Sequence, residues 1–201
     1  MIKVIVFDYD GVIEDTYEQN FELFQKQFLG LTKEEHKKLY DGNLHEQKEK
    51  LRHRDTGFDV SESMDNLREK LIIKPEIREE LIKLSKEYIL GIISSGKSKG
   101  INTYIKNNRI NVFSFVYGSD IHKSKIEKFK IVMQDYNVSS NEIVFITDTL
   151  GDILEANKLN IRTIAVDFGY HEKERLYIGN PFKIISKFQD IIPTLEEIDS
   201  I

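Results

Sequence analysis

Ile2-Lys3-Val4-Ile5-Val6-Phe7-Asp8-Tyr9-Asp10-Gly11 is an apolar run that stops abruptly in two carboxylates and a glycine. Apart from Lys3 the run is β-branched or aromatic, the pattern of a strand buried on both faces of a parallel sheet. Short apolar runs recur at Tyr88 to Ile93, Val112 to Tyr117, Ile143 to Ile146 and Ile161 to Val166, separated by stretches of helical spacing. Five strands alternating with helices predict an α/β fold built on a doubly wound, mostly parallel five-stranded sheet.

Pro75 suits the first turn of a helix whose Ile77, Leu81 and Leu84 fall at i, i+4 and i+7. Lys125 to Tyr136 presents Ile126, Phe129, Val132, Met133 and Tyr136 on one face, so both stretches read as crossover helices. The first crossover is different, because roughly 75 residues lie where a βα unit takes about a third of that. The surplus contains Tyr17, Phe21, Phe24 and Phe28 at helical spacing, a charged helical stretch broken at Asp41-Gly42-Asn43, and another helix around Ser61 to Leu71. This predicts a small all-helical cap, residues 16–74, inserted after the first strand of an α/β core made of residues 1–15 and 75–201. The Phe21, Phe24 and Phe28 stripe reads as the cap's own packing.

The chain of 201 residues has 29 Lys plus Arg against 34 Asp plus Glu, a net charge of −5. That length holds one core with an insertion, and 11 Gly, 3 Pro and 40% hydrophobic residues argue against disorder. With no Cys, disulfides, zinc-thiolate sites, iron–sulfur clusters and thiol nucleophiles are excluded. The mildly acidic balance supplies no electrostatic reason to bind nucleic acid or an anionic membrane. The first apolar run ends at Asp8, too short for a signal-peptide core or a membrane span, so a cytoplasmic location is expected. Nothing in the composition speaks to oligomeric state.

Three strand ends carry acidic or hydroxyl residues: Asp8, Asp10 and Gly11 after the first, Ser94, Ser95 and Gly96 after the second, Asp148, Gly151 and Asp152 after the fourth. In an open parallel sheet, ligands bind at the carboxyl ends of the strands where strand order reverses, so these groups converge if strands one, two and four are neighbours. Asp8 and Asp10, two apart, point to one side of a strict strand with Tyr9 on the other. Each like-charge carboxylate pair at about 4 Å costs on the order of 4 kcal/mol at an effective dielectric of 20, which calls for a cation. Oxygen ligands without Cys or His favour Mg²⁺, and Mg²⁺ sites of this kind hold phosphoryl groups.

Asp8-Tyr9-Asp10-Gly11-Val12, then Ser94, then a lysine, then Asp148 through Asp152 resemble, in order, the four motifs of the haloacid dehalogenase superfamily. The likeness is to its phosphatase and phosphomutase branch with a helical cap after strand one. Phe168-Gly169-Tyr170 resembles the segment after the fifth strand in phosphoglycolate phosphatase-like members. The resemblance implies that Asp8 is a nucleophile forming an aspartyl-phosphate, and that Asp10 protonates the leaving oxygen and later activates water. It implies that Ser94 holds the transferring phosphoryl group, with Gly11, Ser95 and Gly96 around the phosphate. Mg²⁺ would be held by Asp8, the backbone carbonyl of Asp10, Asp148 and Asp152. Counting back six positions from Phe129 selects Lys123 as the catalytic lysine; Ser124 and Lys125 stand where the family has prolines, so Lys125 stays open as a phosphate-binding alternative.

The implied activity is Mg²⁺-dependent hydrolysis of the phosphomonoester of a small metabolite. Asp10 points to phosphoester chemistry, since dehalogenases and phosphonatases of the superfamily lack a carboxylate there. A sugar phosphomutase keeps every motif, and a non-catalytic binding or signalling module retaining the fold is the rival from another class. Read alone, Ser94 to Gly96 is a turn and Asp152 caps the helix that follows it. His36, His45, His53, His122 and His171 show no paired metal spacing. Arg52, Arg54 and His45 of the cap read either as a solvated charged face or as contacts to a second anionic group of a substrate.

Overall fold

The computed structural model describes residues 1–200; Ile201, the last residue of the expected core, lies outside them. Six strands rather than five form one parallel sheet: β1 (Val4–Phe7), β2 (Ile89–Ile93), β3 (Phe113–Tyr117), β4 (Ile143–Thr147), β5 (Arg162–Val166) and β6 (Lys183–Ile185). Their order is β3-β2-β1-β4-β5-β6. The unforeseen β6 is a three-residue edge strand beside β5, too short to stand out as an apolar run.

All four residues of β1 are wholly buried. Val4 and Val6 join Phe129 and Val132 in the cluster on one face, while Ile5 and Phe7 join Leu81 and Ile101 on the other. This is the strand alternation expected when both faces are covered, and each such side chain contributes roughly 1.5–3 kcal/mol of burial. Among the described residues ten helices surround the sheet or fill the first crossover: α1 (Tyr17–Gln27), α2 (Lys33–Lys38), α3 (Leu44–Lys50), α4 (Val60–Arg68), α5 (Pro75–Leu84), α6 (Ser98–Asn107), α7 (Lys125–Asp135), α8 (Leu150–Asn157), α9 (Lys173–Tyr177) and α10 (Ile191–Asp199). Pro75 occupies the first turn of α5, where its missing N–H is not needed, and Ile77, Leu81 and Leu84 of that helix are buried.

Helices α1 to α4 all lie between β1 and β2 and gather a separate apolar cluster of Phe21, Phe24, Phe28, Leu31, Leu39, Val60 and Met64. The break at Asp41-Gly42-Asn43 is a helix start: Asn43 Oδ1 accepts from the N–H groups of His45 (3.1 Å) and Glu46 (3.4 Å). The helical insert docks against the sheet's carboxyl end. Gly151 N donates to Tyr40 O at 2.8 Å, and Lys37 pairs with Glu172 at 2.8 Å. His171 Nδ1 accepts from Leu150 N (3.0 Å), which places its proton on Nε2, 3.0 Å from Lys37 O. No helix among the described residues is long and apolar enough to cross a membrane.

Candidate active site

The strand order reverses at β1 and β4, so β1 sits between β2 and β4 and the three polar strand ends become neighbours. Asp8 still belongs to the ladder, its N–H donating to Ile146 O at 2.8 Å. The chain then turns, with Tyr9 O accepting from Ile13 N (2.9 Å) and Gly11 at φ +80°. Tyr9 goes into the core, edge-on to Tyr104 with ring centroids 5.2 Å apart. Asp8 and Asp10 line one cavity of about 110 Å³ with Ser94, Ser95, Gly96 and Asp152. The serine turn is tied internally, Gly96 N donating to Ser94 Oγ at 3.0 Å.

The lysine at the centre is Lys125, not Lys123. Lys125 Nζ lies 2.8 Å from Asp8 Oδ2 and 2.6 Å from Asp152 Oδ2 and is wholly buried. Lys123 is exposed, and its carbonyl accepts from Asn43 Nδ2 at 3.2 Å. The reason is helical geometry. With Ser124 as N-cap, α7 begins at Lys125, which stands four residues before the wholly buried Phe129 and shares its inward face. Lys128 is buried behind the serine turn, donating to Ser94 O at 2.6 Å, and burial with the nearby Lys125 charge presses its ammonium down to about 8.

Asp152 and Asp10 each have partners of their own within the protein. Asp152 Oδ2 accepts from Lys125 and from Thr147 Oγ1 (2.7 Å); burial opposes ionisation there, but Lys125 and the hydrogen bonds hold the carboxyl below its ordinary value. Asp152 therefore holds the lysine. The Asp10 side chain is turned to Arg68 (2.5 Å) and Thr16 (2.9 Å). Among the described residues no three His, Asp or Glu side chains are arranged to hold a metal.

What remains for a cation is Asp8 and Asp148. Asp148 is wholly buried, its Oδ2 accepts from Tyr170 N at 2.7 Å, and its Oδ1 has no partner. Gly11 and Gly169 make room for it, since a Cβ at either would come within 1.9 and 2.3 Å of Asp148 Oδ2. Burial first, and the neighbouring Asp8 charge second, push the Asp148 carboxyl well above its usual range. Burial raises Asp8 to about 7 against the pull of Lys125. A buried carboxylate oxygen without a partner, beside a second carboxylate, suits a hard divalent cation whose remaining ligands are a backbone carbonyl, waters and substrate oxygens.

Arg68, on α4, escaped the sequence reading. It is 2% exposed, reaches Asp10 and Asp65, and lies 5.4 Å from the centroid of the Tyr9 ring. One signal was available: Val60, Met64 and Arg68 fall at i, i+4 and i+8, so a lone arginine sits on the apolar stripe of its helix. Thr16, bonded to Asp10 and within 3.1 Å of Tyr170 Oη, carried no signal of its own.

These groups occur in the order of the sequence motifs, and the family model for haloacid dehalogenase-like hydrolases matches residues 5–166. The chain belongs to this family. A phosphoglycolate phosphatase from Photorhabdus laumondii is 27% identical over 126 residues, 60% of this chain and 54% of that protein, so the match spans about half the length of this curated relative. A hydrolase from Pseudomonas syringae superposes with a TM-score of 0.82 at 17% identity, covering 98% of this chain and 99% of that one. A haloacid dehalogenase-like family hydrolase from Streptococcus pneumoniae does so with a TM-score of 0.75 at 22% identity, covering 96% and 98%. At such identities the likeness is one of fold.

In this haloacid dehalogenase-like hydrolase the three charged insert residues noted in the sequence separate. Arg52 pairs with Glu49 (2.8 Å) and Arg54 with Glu35 (2.9 Å), while His45 lines the cavity. His36 is buried among aromatic rings, Nε2 2.8 Å from Asn20 Oδ1, and burial lowers its imidazole to about 3. His53 and His122 are exposed.

Proposed function

We propose that the chain hydrolyses phosphate monoesters of small metabolites through a phosphorylated Asp8, with residues 16–74 as a cap over the catalytic core of residues 1–15 and 75–201. The observation that carries this reading is Lys125 Nζ held between Asp8 and Asp152 at the reversal of strand order. An Asp8 oxygen attacks phosphorus as the ester oxygen departs, forming a P–O bond to Asp8 and breaking the one to the alcohol. Asp10, in the same cavity, gives the leaving oxygen its proton and then takes one from the water that cleaves the acyl phosphate. Ser94 and the N–H groups of its turn receive phosphoryl oxygens, and Lys125 offsets their charge. Magnesium bound at Asp8, Asp148 and the Asp10 carbonyl would neutralise phosphoryl charge. The docked insert excludes bulk water from the cavity.

Curated relatives bear the name phosphoglycolate phosphatase, so phosphoglycolate belongs in the first substrate panel beside p-nitrophenyl phosphate. Phosphate release should require Mg²⁺, stop with EDTA, and fall at least about a thousandfold in Asp8→Asn. Millimolar Mg²⁺ should also raise the melting temperature of the wild type by binding linkage, and fail to do so in Asp148→Asn. Full activity in Asp8→Asn, or indifference to EDTA, refutes the mechanism. Conversion of a hexose 1-phosphate to its 6-phosphate without free phosphate replaces hydrolase by mutase.

A further inference from the structure

The cavity has two unlike ends. Asp8, Ser94 and Gly96 line one; Phe24, Leu44, Val60 and Met64 from the insert line the other. One cation stands at this apolar end with no ion pair among the described residues. His45 also lines the cavity, its ring beside the Ser95 backbone. Lys48 Nζ lies 5.0 Å from the Phe24 ring centroid and 5.9 Å from that of Phe28, and no carboxylate among the described residues comes within ion-pair distance of it. The arginines of the insert are already engaged: Arg54 with Glu35, Arg52 with Glu49, Arg68 with Asp10 and Asp65.

We propose that this end selects phosphate monoesters whose alcohol carries an apolar body ending in an anionic group, the body against Phe24, Leu44, Val60 and Met64 and the anion on Lys48. The inference rests on the phosphatase reading for its phosphate end only. A two-carbon acid such as glycolate places its carboxylate next to the phosphate and has nothing to set against four apolar side chains. An apolar body buries them, and a terminal anion supplies the missing partner to a cation on an aromatic face. Charge-assisted hydrogen bonds of this kind are the strong ones, so the anion should add about tenfold in affinity.

The test uses phosphonates, which bind without turnover. Calorimetry on the wild type with Mg²⁺ should show 4-carboxybenzylphosphonate binding about tenfold tighter than benzylphosphonate, and the gap should close to less than about twofold in Lys48→Met. Equal affinities in the wild type, or a gap that persists in Lys48→Met, overturn the proposal. Hydrolysis of phenyl phosphate is followed separately. Its absence alongside an intact, Lys48-dependent gap defeats the phosphatase reading and leaves the pocket's selectivity standing.

Discussion

The floor and the roof of the cavity hold their charges by different means. On the floor, Asp8, Asp148 and Lys125 project from strand ends and a helix start whose positions follow from the parallel ladder, with Phe7 in register with both Ile92 and Ile146. On the roof, Arg68, Lys48 and His45 project from short helices with an apolar cluster of their own, tied to the sheet by a few hydrogen bonds and ion pairs. On the floor Lys125 neutralises Asp8 and Asp152 while one oxygen of Asp148 is left without a partner, whereas on the roof Arg68 is paired and Lys48 rests on aromatic rings. Backbone geometry thus presents the groups proposed to react, and the independently packed insert supplies the opposite wall of the cavity.

The largest effect that separates the two regions lies on the floor. Lys125→Met leaves the Asp8 and Asp152 side chains, 11% and 9% exposed, without their cation and should cost about 5 kcal/mol in denaturant unfolding. Lys123→Ala should stay within about 0.5 kcal/mol and keep phosphate release. Equal losses from the two variants would return the central role to Lys123.

On the roof, Arg68→Met strands Asp10 and Asp65, whose side chains are 16% and 13% exposed and therefore better hydrated; about 3 kcal/mol is expected by the same measurement. A cost as large as that of Lys125→Met would show that the insert shares the floor's buried network.

The smallest effect is acid sensitivity from His36 in the insert. The folded chain protonates it only near about 3, against an ordinary value of 6.5, so the unfolded state binds the proton first. Its stabilising contribution is complete above 6.5 and is lost as pH falls toward 3, amounting to about 2 kcal/mol at about pH 5. Thermal melts should show a shallower acid-side decline in His36→Gln; parallel curves would mean that the imidazole titrates normally in the fold.

Much of the floor was legible because its signals are local. Asp8 and Asp10 end an apolar run, Asp148 and Asp152 follow another, and period-two alternation already sets Tyr9 apart from its neighbours. The sequence left Lys125 open beside Lys123 because the choice turns on where α7 starts, and with Ser124 as its N-cap the helix starts at Lys125. The short run Lys183 to Ile185 becomes a strand only through pairing with β5. Arg68 and Lys48 were legible as helix residues yet not as cavity residues, since nothing local says which face of an insert meets which strand end.

The sequence by itself determined the alternation of strands and helices, the insertion after the first strand, and the acidic and serine-bearing strand ends. Each of these follows from hydrophobic periodicity or from residues a few positions apart. Tertiary structure alone decided that Lys125 bridges Asp8 and Asp152, that Asp10 turns to Arg68, and that an oxygen of Asp148 stays unpartnered. Those contacts join residues 27 to 117 positions apart along the chain, and such pairings exist only once both faces of the sheet and the helical insert have packed.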